Sequence, residues 1–355
     1  MPIRTRFERA AASRFLRLPP RLLRLLVGPP LRSPEGDTLD LQSQGLLWLL
    51  RVSRAPAMHS PDLSCARRRL ERSARVLEPR IAVPVWACDR TVGGAKAPLR
   101  ARVYKPARPS LEAAPGLLWF HGGGFVLGSI ESHDGVCRSI AAQAGIVVVS
   151  VDYRLAPEHR FPAGLEDAVA ATRWLLEHGP KFGIDPRAIA VGGDSAGGNL
   201  AAAAAQAIRG ESRQPVLQLL VYPATDATRR EPSHRHFANG FLLTAANITW
   251  FLDHYLPSPE YARDPRVSPL LAQDLSGLPR ALVITAGFDP LRDEGRRYAE
   301  RMRGAGTEAE HLCSTGSVHG FIHTAGVLDE SARVLAYAAE RLRRILYAHS
   351  GLRVG

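Results

Sequence analysis

Cysteine is scarce in this sequence, with only 4 in 355 residues. The four are scattered, and their spacing matches neither a set of metal ligands nor a redox pair, which excludes a zinc-finger or thioredoxin-like site. Scattered cysteines are typical of a reducing compartment. We therefore expect a cytoplasmic protein with no metal and no cofactor. The residues are Cys65, Cys88, Cys137 and Cys313.

Long hydrophobic runs are also missing. The leucine-rich stretch at 21–27 is too short to cross a bilayer, contains Arg24, and is flanked by proline pairs at 19–20 and 29–30. No small-residue cleavage site follows a continuous apolar core, as a secretory signal would require. The sequence therefore predicts neither a membrane-spanning helix nor a signal peptide.

The basic charge is confined to the N-terminal part of the chain. Residues 1–110 hold 22 basic and 8 acidic side chains, whereas residues 111–355 hold 24 and 26. Arginines and leucines are interleaved at 14–27, and a second basic cluster follows at 67–69. Such a segment can lie on an anionic membrane surface, or it can form a cap helix whose leucines pack inward and whose arginines face water. The sequence leaves both interpretations open.

A sequence pI near 10.2 also suggests nucleic-acid binding. The chain carries no zinc-ligand spacing, no RNA-recognition motif and no basic stripe interleaved with aromatic residues. We therefore expect no nucleic-acid partner.

Strand and helix patterns alternate from about residue 100 onward, which predicts a mostly parallel central sheet with helices on both faces, an α/β fold. A chain of 355 residues that is 45% hydrophobic can bury the core of one large domain of this kind. The region 226–268 interrupts the alternation and is interpreted as part of a lid. The predicted strands are 116–120, 146–151, 187–191, 216–222 and 281–285, and a helix is predicted at 165–178.

One serine stands between small residues where a predicted strand meets a predicted helix. The strand at 187–191 leads into a Gly-Asp-Ser-Ala-Gly stretch centred on Ser195, and an alanine-rich helical run follows. A serine at so sharp a turn has a strained backbone, and Gly193 and Gly197 keep side chains out of its way. The pattern predicts a nucleophile elbow. A glycine-rich turn that happens to hold a serine is the alternative.

A second motif precedes this turn. The predicted strand at 116–120 leads directly into His121, Gly122, Gly123 and Gly124. Consecutive glycines leave backbone N–H groups unshielded, so that they can approach a ligand closely, as an oxyanion hole requires. The alternative is a plain flexible loop.

Further motifs lie at 151–158, 161–163, 289–294 and 319–321. With the two glycine-rich motifs, they make the sequence resemble the hormone-sensitive-lipase group of α/β-hydrolase carboxylesterases, from about Val83 to about Ile345. The resemblance implies an α/β-hydrolase catalytic domain at 81–355 and esters with short to medium acyl chains as substrates. It also implies a helical cap formed by the basic helical segment 1–80 and the insertion at about 226–268.

The serine needs a base that accepts its proton and an acid that orients the base. Asp289 lies just past the predicted strand at 281–285, and ligands bind at the carboxyl ends of strands in parallel sheets. An aspartate before a proline also suits a helix N-cap, which is the alternative. Asp226 and Asp293 are weaker candidates for the acid.

Twelve histidines are present, and His319 has the position expected of the base. It follows a short predicted strand at 309–313 and a glycine-containing loop at 314–318. His311 falls within that strand and His323 within or beside the next helix, so both are predicted to be structural.

These assignments predict a two-step ester hydrolysis by Ser195, His319 and Asp289. His121 is similar to the family's structural motif histidine, and Asp194 is interpreted as a hydrogen-bonding residue of the elbow. The predicted oxyanion hole comprises Gly122, which shapes the loop, and the N–H donors Gly123, Gly124 and Ala196.

Other functions on this scaffold stay open at this point, namely an amidase or deacetylase, a lipid-ester lipase and a ligand-binding receptor. Receptors of this fold lack the base, so an intact His319 argues against the last. The apolar run at 46–50 could line an acyl site or belong to the core. The expected partner is a small-molecule ester. Peripheral membrane contact through the basic N-terminus is a second expectation. The sequence does not decide the oligomeric state.

Overall fold

The computed structural model describes residues 3–54, 58–59, 62–79, 81, 83–107 and 113–351. Arg80, where the predicted N-terminal segment ends, lies outside the described residues. Apolar runs form the central strands, and every residue of the strands at 147–151 and 217–221 is buried, as expected for strands that are covered on both faces. The strands are β1 Val85–Val92, β2 Leu99–Pro106, β3 Ala114–Phe120, β4 Val147–Val151, β5 Ile184–Asp194, β6 Leu217–Val221, β7 Arg280–Phe288 and β8 Ala309–Val318.

These strands form one sheet in the order β1-β2-β4-β3-β5-β6-β7-β8. Strand β2 is antiparallel to both β1 and β4, and every other neighbouring pair is parallel. The carboxyl ends of β5, β6, β7 and β8 therefore lie at the same edge. The connections that follow these strands meet there, and they include the residues that the sequence singled out.

Helices cover both faces of the sheet, as the sequence predicts. Helices at 130–144 and 329–350 share an apolar cluster with β3 and β6, and helices at 163–178, 196–207 and 292–304 share another with the opposite face. The α-helices are α1 Ile3–Leu16, α2 Pro20–Val27, α3 Leu41–Val52, α4 Leu63–Leu77, α5 Ile130–Ala144, α6 Ala163–His178, α7 Ala196–Ala207, α8 Pro232–His236, α9 Ala245–Tyr255, α10 Arg292–Gly304 and α11 Asp329–Ser350.

The predicted strands agree with the observed ones except at the end of the sheet. The loop predicted at 314–318 is wrong, because β8 continues through it to Val318. Ser314 pairs with Ala286, and Val318 pairs with Phe288 beyond an irregularity in the register. The hydrogen-bonding partners that β7 supplies outweigh the turn-forming composition of this segment.

The described part of residues 1–80 contains α1 to α4. In α2 only Leu23 is buried, whereas Leu22, Leu25 and Leu26 are 50%, 80% and 49% exposed. The cap-helix interpretation expects the leucines to pack inward, and among the leucines of α2 only Leu23 does so. In α3, Leu46 is buried in a small cluster with residues of α1 and of the segment before α11, so it belongs to a core.

The insertion at 226–268 contains α8, α9 and a short 3₁₀ helix at Pro259–Arg263. Helix α9 begins where the Thr244 side chain accepts the N–H of Asn247, and the Asn247 side chain in turn accepts the N–H of Thr244. Within the described ranges, no helix combines the length and apolar character that a bilayer crossing needs.

Candidate active site

Ser195 lies on a sharp turn between β5, which ends at Asp194, and α7, which begins at Ala196. Its φ of 55° and ψ of −120° are unusual for a residue with a side chain, and such conformations cost on the order of 1–3 kcal/mol. The turn also packs tightly against β3, since a Cβ at Gly197 would overlap the carbonyl oxygen of Phe120. The flanking glycine is therefore a steric requirement of the elbow.

The structure brings three predicted side chains into one hydrogen-bonded row. Nε2 of His319 is 3.0 Å from Oγ of Ser195, and Nδ1 of His319 is 2.7 Å from Oδ2 of Asp289. Each comes from the connection after a different strand, namely β5, β7 and β8. Ser195 and His319 lie 124 positions apart in the sequence, so only the parallel sheet places them together.

Neighbouring groups hold the imidazole and the carboxylate in place. Asp289 is fully buried, and its Oδ1 accepts the N–H of Leu291 at 2.9 Å, which leaves Oδ2 for His319. The ring of Tyr222 packs against His319 with the ring centres 4.6 Å apart. Tyr222 follows β6, and no motif in the sequence singles it out.

The glycine loop after β3 lies beside the elbow. The N–H of Gly122 donates to Oδ1 of Asp194 at 3.0 Å. Among the described residues, no acceptor is recorded for the N–H groups of Gly123, Gly124 or Ala196. Gly124 has a φ of 62°, and a Cβ there would overlap the ring of Phe251 in α9, so the loop and the insertion are in close contact.

His121 is buried at the base of this loop. Its Nδ1 is 2.9 Å from the carbonyl oxygen of Gly122, and its ring stacks on Tyr153 with the ring centres 4.4 Å apart. The Tyr153 hydroxyl donates to the carbonyl oxygen of His121 at 2.7 Å. Burial lowers the pKa of His121 to about 4, so this imidazole is neutral at pH 7. These contacts fit a structural role for His121.

Asp194 lies under the loop between two histidines. Its Oδ1 is 3.0 Å from Nε2 of His133, and its Oδ2 is 3.4 Å from Nε2 of His323. Burial acts to raise the pKa of Asp194, but the two histidines outweigh it and hold that pKa well below its ordinary value. Burial lowers the pKa of His133. The carboxylate is thus kept ionised and hydrogen-bonded, which fits the prediction that Asp194 supports the elbow.

The same three side chains offer ligand atoms within 4.8 Å of one another, a spacing at which a metal ion could be held. Asp194 also accepts the N–H of Gly122, so a cation here would compete with a hydrogen bond that shapes the loop. The absence of a metal therefore stays a prediction. His323 is predicted to be structural, and its contact with Asp194 fits that role, although its side chain also lines the cavity into which Ser195 and His319 open. Its position four residues after His319 is the signal that could have located it.

The competing candidates lie elsewhere. Oδ1 of Asp226 accepts the N–H of Thr228 at 2.9 Å, Asp293 pairs with Arg292 at 2.9 Å, and His311 contacts Thr285 within the sheet. None of them contacts Ser195 or His319.

One buried pair was missed by the sequence reasoning. His234 of the insertion lies 2.7 Å from Glu294 of α10, and Glu294 also accepts the N–H of Asp226 at 3.1 Å. Burial acts to lower the pKa of His234, but the carboxylate outweighs it and raises that pKa. The pair ties the start of the insertion to α10.

Ser195 and His319 open into a cavity of about 140 Å³. Its walls are mainly apolar, and the run at 46–50 contributes no residue to them, which separates that run from the acyl site that the sequence left open. The cavity walls include Met58, Leu70, Leu243, Ile248, Phe251, Leu252 and Leu291.

Comparison with known proteins agrees with this geometry. A family model described as an alpha/beta hydrolase fold matches residues 117–323. The carboxylic ester hydrolase LipN of Mycobacterium tuberculosis is 43% identical over 296 residues, which cover 81% of this chain and 78% of LipN. The ethyl acetate hydrolase of Pseudomonas putida is 38% identical over 296 residues, which cover 81% of this chain and 92% of that protein.

Solved structures show the same relationship. An α/β hydrolase from the metagenome of Lake Arreo, Spain, is 38% identical and superposes with a TM-score of 0.82, covering 88% of this chain and 99% of that one. The class is therefore clear, and this protein is an α/β-hydrolase enzyme. Within that class, the chain belongs to the hormone-sensitive-lipase-like family of carboxylic ester hydrolases, which confirms the resemblance carried by its motifs.

Proposed function

We propose that this protein hydrolyses small carboxylic esters, with Ser195 as nucleophile, His319 as general base and Asp289 as the acid that orients the imidazole. The observation that carries the proposal is the hydrogen-bonded row, with contacts of 3.0 Å and 2.7 Å on the two nitrogens of His319. Relatives named as ester hydrolases support the same reaction.

In the first step, Oγ of Ser195 bonds to the ester carbonyl carbon while its proton passes to Nε2 of His319. Asp289 accepts the hydrogen bond from Nδ1 and stabilises the imidazolium that forms. Positioned proton transfer of this kind contributes about 10² to 10⁴ in rate. The proton then passes to the leaving alcohol, and the acyl group remains on Ser195.

The oxyanion that develops on the carbonyl is held by the N–H groups of Gly123, Gly124 and Ala196. Gly122 shapes the loop instead of binding substrate, because its own N–H is taken by Asp194. Each such donor is worth about 10² to 10³ in turnover. In the second step His319 deprotonates a water, which attacks the acyl carbon. The bond from that carbon to Oγ then breaks, the proton on Nε2 passes to Oγ of Ser195, and the carboxylic acid leaves.

We infer that residues 1–80 and the insertion at 226–268 form the cap over this site, with residues 81–355 as the catalytic domain. Met58 and Leu70 come from the N-terminal segment, and Ile248 and Phe251 come from the insertion. Their contribution to the cavity walls supports the inference.

Short acyl chains are expected to be the best substrates. The cavity at Ser195 has a volume of only about 140 Å³ and mainly apolar walls, which favours a short acyl chain. We expect kcat/KM for 4-nitrophenyl esters to peak between acetyl and hexanoyl and to fall about tenfold or more by decanoyl. The measurement is nitrophenolate release across the series from acetyl to palmitoyl.

Two variants control this experiment. Phe251→Ala enlarges the cavity and should raise the ratio of decanoyl to butyryl activity, whereas Trp250→Ala changes a neighbouring residue that is absent from the cavity lining. Maximal activity on palmitoyl esters in emulsion would contradict the short-chain proposal and favour a lipase. No hydrolysis of any member would contradict the ester hydrolase itself.

We propose further that the protein works in the cytoplasm and contacts an anionic membrane surface through α2. Its cysteines are free, as a reducing compartment would keep them. Leu22, Leu25 and Leu26 share one exposed face of the helix, with Arg21 and Arg24 along its flank. Exposed leucines beside arginines suit the interface of an anionic bilayer.

Vesicle sedimentation tests this contact. We expect binding to vesicles that contain phosphatidylglycerol and about tenfold weaker binding to pure phosphatidylcholine. The double variant Leu25→Glu and Leu26→Glu should lose binding, while Val52→Glu, which changes an exposed residue of α3, should retain it. Equal sedimentation of all three proteins, or none with the parent protein, would refute the contact.

A further inference from the structure

We propose that a second cavity, lined by arginines and adjoining the catalytic cavity, binds an anionic group carried by the ester substrate. The proposal rests on the ester hydrolase function given above and narrows its substrate class. The second cavity has a volume of about 420 Å³. Its walls come from the insertion and from the connection before α6.

Four arginines line this second cavity. Arg229 and Arg230 lie at the start of the insertion, Arg263 lies in its short 3₁₀ helix, and Arg160 precedes α6. The lining contains a single carboxylate, that of Asp253, which is exposed. The cavity therefore carries a strong excess of positive charge.

These charges are not neutralised within the part of the chain that the structure describes. Arg160 donates to the carbonyl oxygen of Leu256 at 2.8 Å, and Arg229 donates to Oγ1 of Thr249 at 2.7 Å. Such neutral acceptors orient a guanidinium and leave its charge in place. Nearby Arg266, by contrast, forms an ion pair with Asp264 at 2.7 Å. Among the described residues, none of the four arginines has an ion-pair partner of this kind.

Like charges gathered around one cavity repel one another, and a bound anion removes that repulsion. Arginine suits this task because its planar fork of N–H donors matches a carboxylate or a phosphate. The ligand chemistry is therefore an anionic group of that shape. The arginines in these walls would not strengthen the binding of a neutral aliphatic chain.

The position of the second cavity indicates that the anion belongs to the substrate. Leu252 of α9 lines both cavities, so the two cavities share a wall residue. Residues of the connection after β6 also line both cavities: Ala224 lines the catalytic cavity, and Ala227 lines the second cavity. The path that we propose for an ester held at Ser195 therefore runs past Leu252, with its charged end among the arginines.

Matched pairs of esters test this proposal and show which end carries the charge. The acyl pair is 4-nitrophenyl valerate and mono-4-nitrophenyl glutarate. The alcohol pair is propyl acetate and 3-acetoxypropyl phosphate, followed by acid release. We expect kcat/KM to favour the charged member of at least one pair by about tenfold, and this preference to weaken as salt is added.

The double variant Arg230→Ser and Arg263→Ser should abolish this preference, measured as the ratio of kcat/KM values within a pair. The matched control is Arg90→Ser with Arg235→Ser, which removes the same charge from exposed residues outside the lining. It should keep the ratio of the parent protein. A ratio does not depend on the fraction of folded enzyme, so partial misfolding cannot imitate the result.

Three outcomes would overturn the proposal. The first is a ratio near one for the parent protein in both pairs, and the second is a ratio that the two double variants change equally. The third is binding of inorganic phosphate that depends on Arg230 and Arg263 without any preference for charged esters, since the cavity would then bind a free anion. Failure to hydrolyse the neutral esters as well would refute the ester hydrolase function, and the two failures are thereby distinguished.

Discussion

Replacing Ser195 by alanine is expected to lower kcat for 4-nitrophenyl butyrate by about 10⁶-fold and to leave the fold unchanged. Removal of the nucleophile of a serine hydrolase leaves only the rate enhancement that binding and the oxyanion hole supply. The measurement is nitrophenolate release under saturating ester, with circular dichroism and thermal unfolding to establish that the variant is folded. A variant that keeps more than about one hundredth of the parent activity would contradict Ser195 as the nucleophile.

The chain offers a matched control for this substitution. Oγ of Ser132 is 2.8 Å from Nδ1 of His133, whose Nε2 is 3.0 Å from Asp194, so a second serine, histidine and aspartate also form a row, with the two ring nitrogens exchanged relative to His319. Ser132 is buried and is absent from the lining of the catalytic cavity. We expect Ser132→Ala to change kcat by less than about tenfold. A loss as large as that of Ser195→Ala would show that hydrogen-bond geometry alone does not identify the nucleophile.

Replacing Asp289 by asparagine should lower kcat by about 10⁴-fold. The carboxylate accepts the Nδ1 proton of His319, and an amide nitrogen at that place favours the tautomer with its proton on Nε2, which cannot accept the serine proton. The hydrogen bond from the N–H of Leu291 to Oδ1 can be retained by asparagine, so the connection should keep its shape. The measurement is kcat on the best 4-nitrophenyl ester, with thermal unfolding as the check of stability.

Asp226→Asn is the control for this second substitution. Oδ1 of Asp226 accepts the N–H of Thr228, which the amide oxygen of asparagine can also do, and Asp226 does not contact His319. We expect a change in kcat of no more than about twofold, because surface or structural changes of this size leave the reacting groups in place. Equal losses in both variants would indicate a general effect of lost negative charge and would contradict Asp289 as the orienting acid.

The motifs near Ser195 could be interpreted from the sequence because their constraints are local. Ser195 occupies a sharp turn with a φ of 55°, and the small residues that such a turn needs stand beside it in the sequence. The same holds for the alternating apolar runs, whose burial on both faces follows from their composition. For that reason the fold and the family resemblance are confirmed.

Other features depend on partners far away in the sequence. The segment 314–318 has the composition of a loop, but β7 lies beside it and provides the hydrogen bonds that make it a strand. His323 faces the catalytic cavity because Asp194, 129 positions earlier, lies across from it. The pair of His234 and Glu294 likewise joins an insertion to a helix 60 positions away. The hydrophobic periodicity of the sequence predicts none of these contacts.

The exposure of the leucines of α2 could not be predicted from the sequence either. The interleaved leucines and arginines predict an amphipathic helix, and this pattern cannot say which side meets the protein. Among the leucines of α2, only Leu23 packs inward, and Leu25 is 80% exposed. The grouping of arginines around the second cavity could not be predicted from the sequence either, because Arg160 and Arg263 are separated by about a hundred residues and belong to no motif.

The sequence by itself determined the α/β fold class, the elbow around Ser195 and the identity of the candidate base and acid, because each leaves a short-range pattern in the chain. Only the tertiary structure decided that the two nitrogens of His319 contact Ser195 and Asp289, that the catalytic cavity is small, and that four arginines line a second cavity. The reason is physical: distances between side chains on different strands depend on sheet order and packing, which no local pattern of residues encodes.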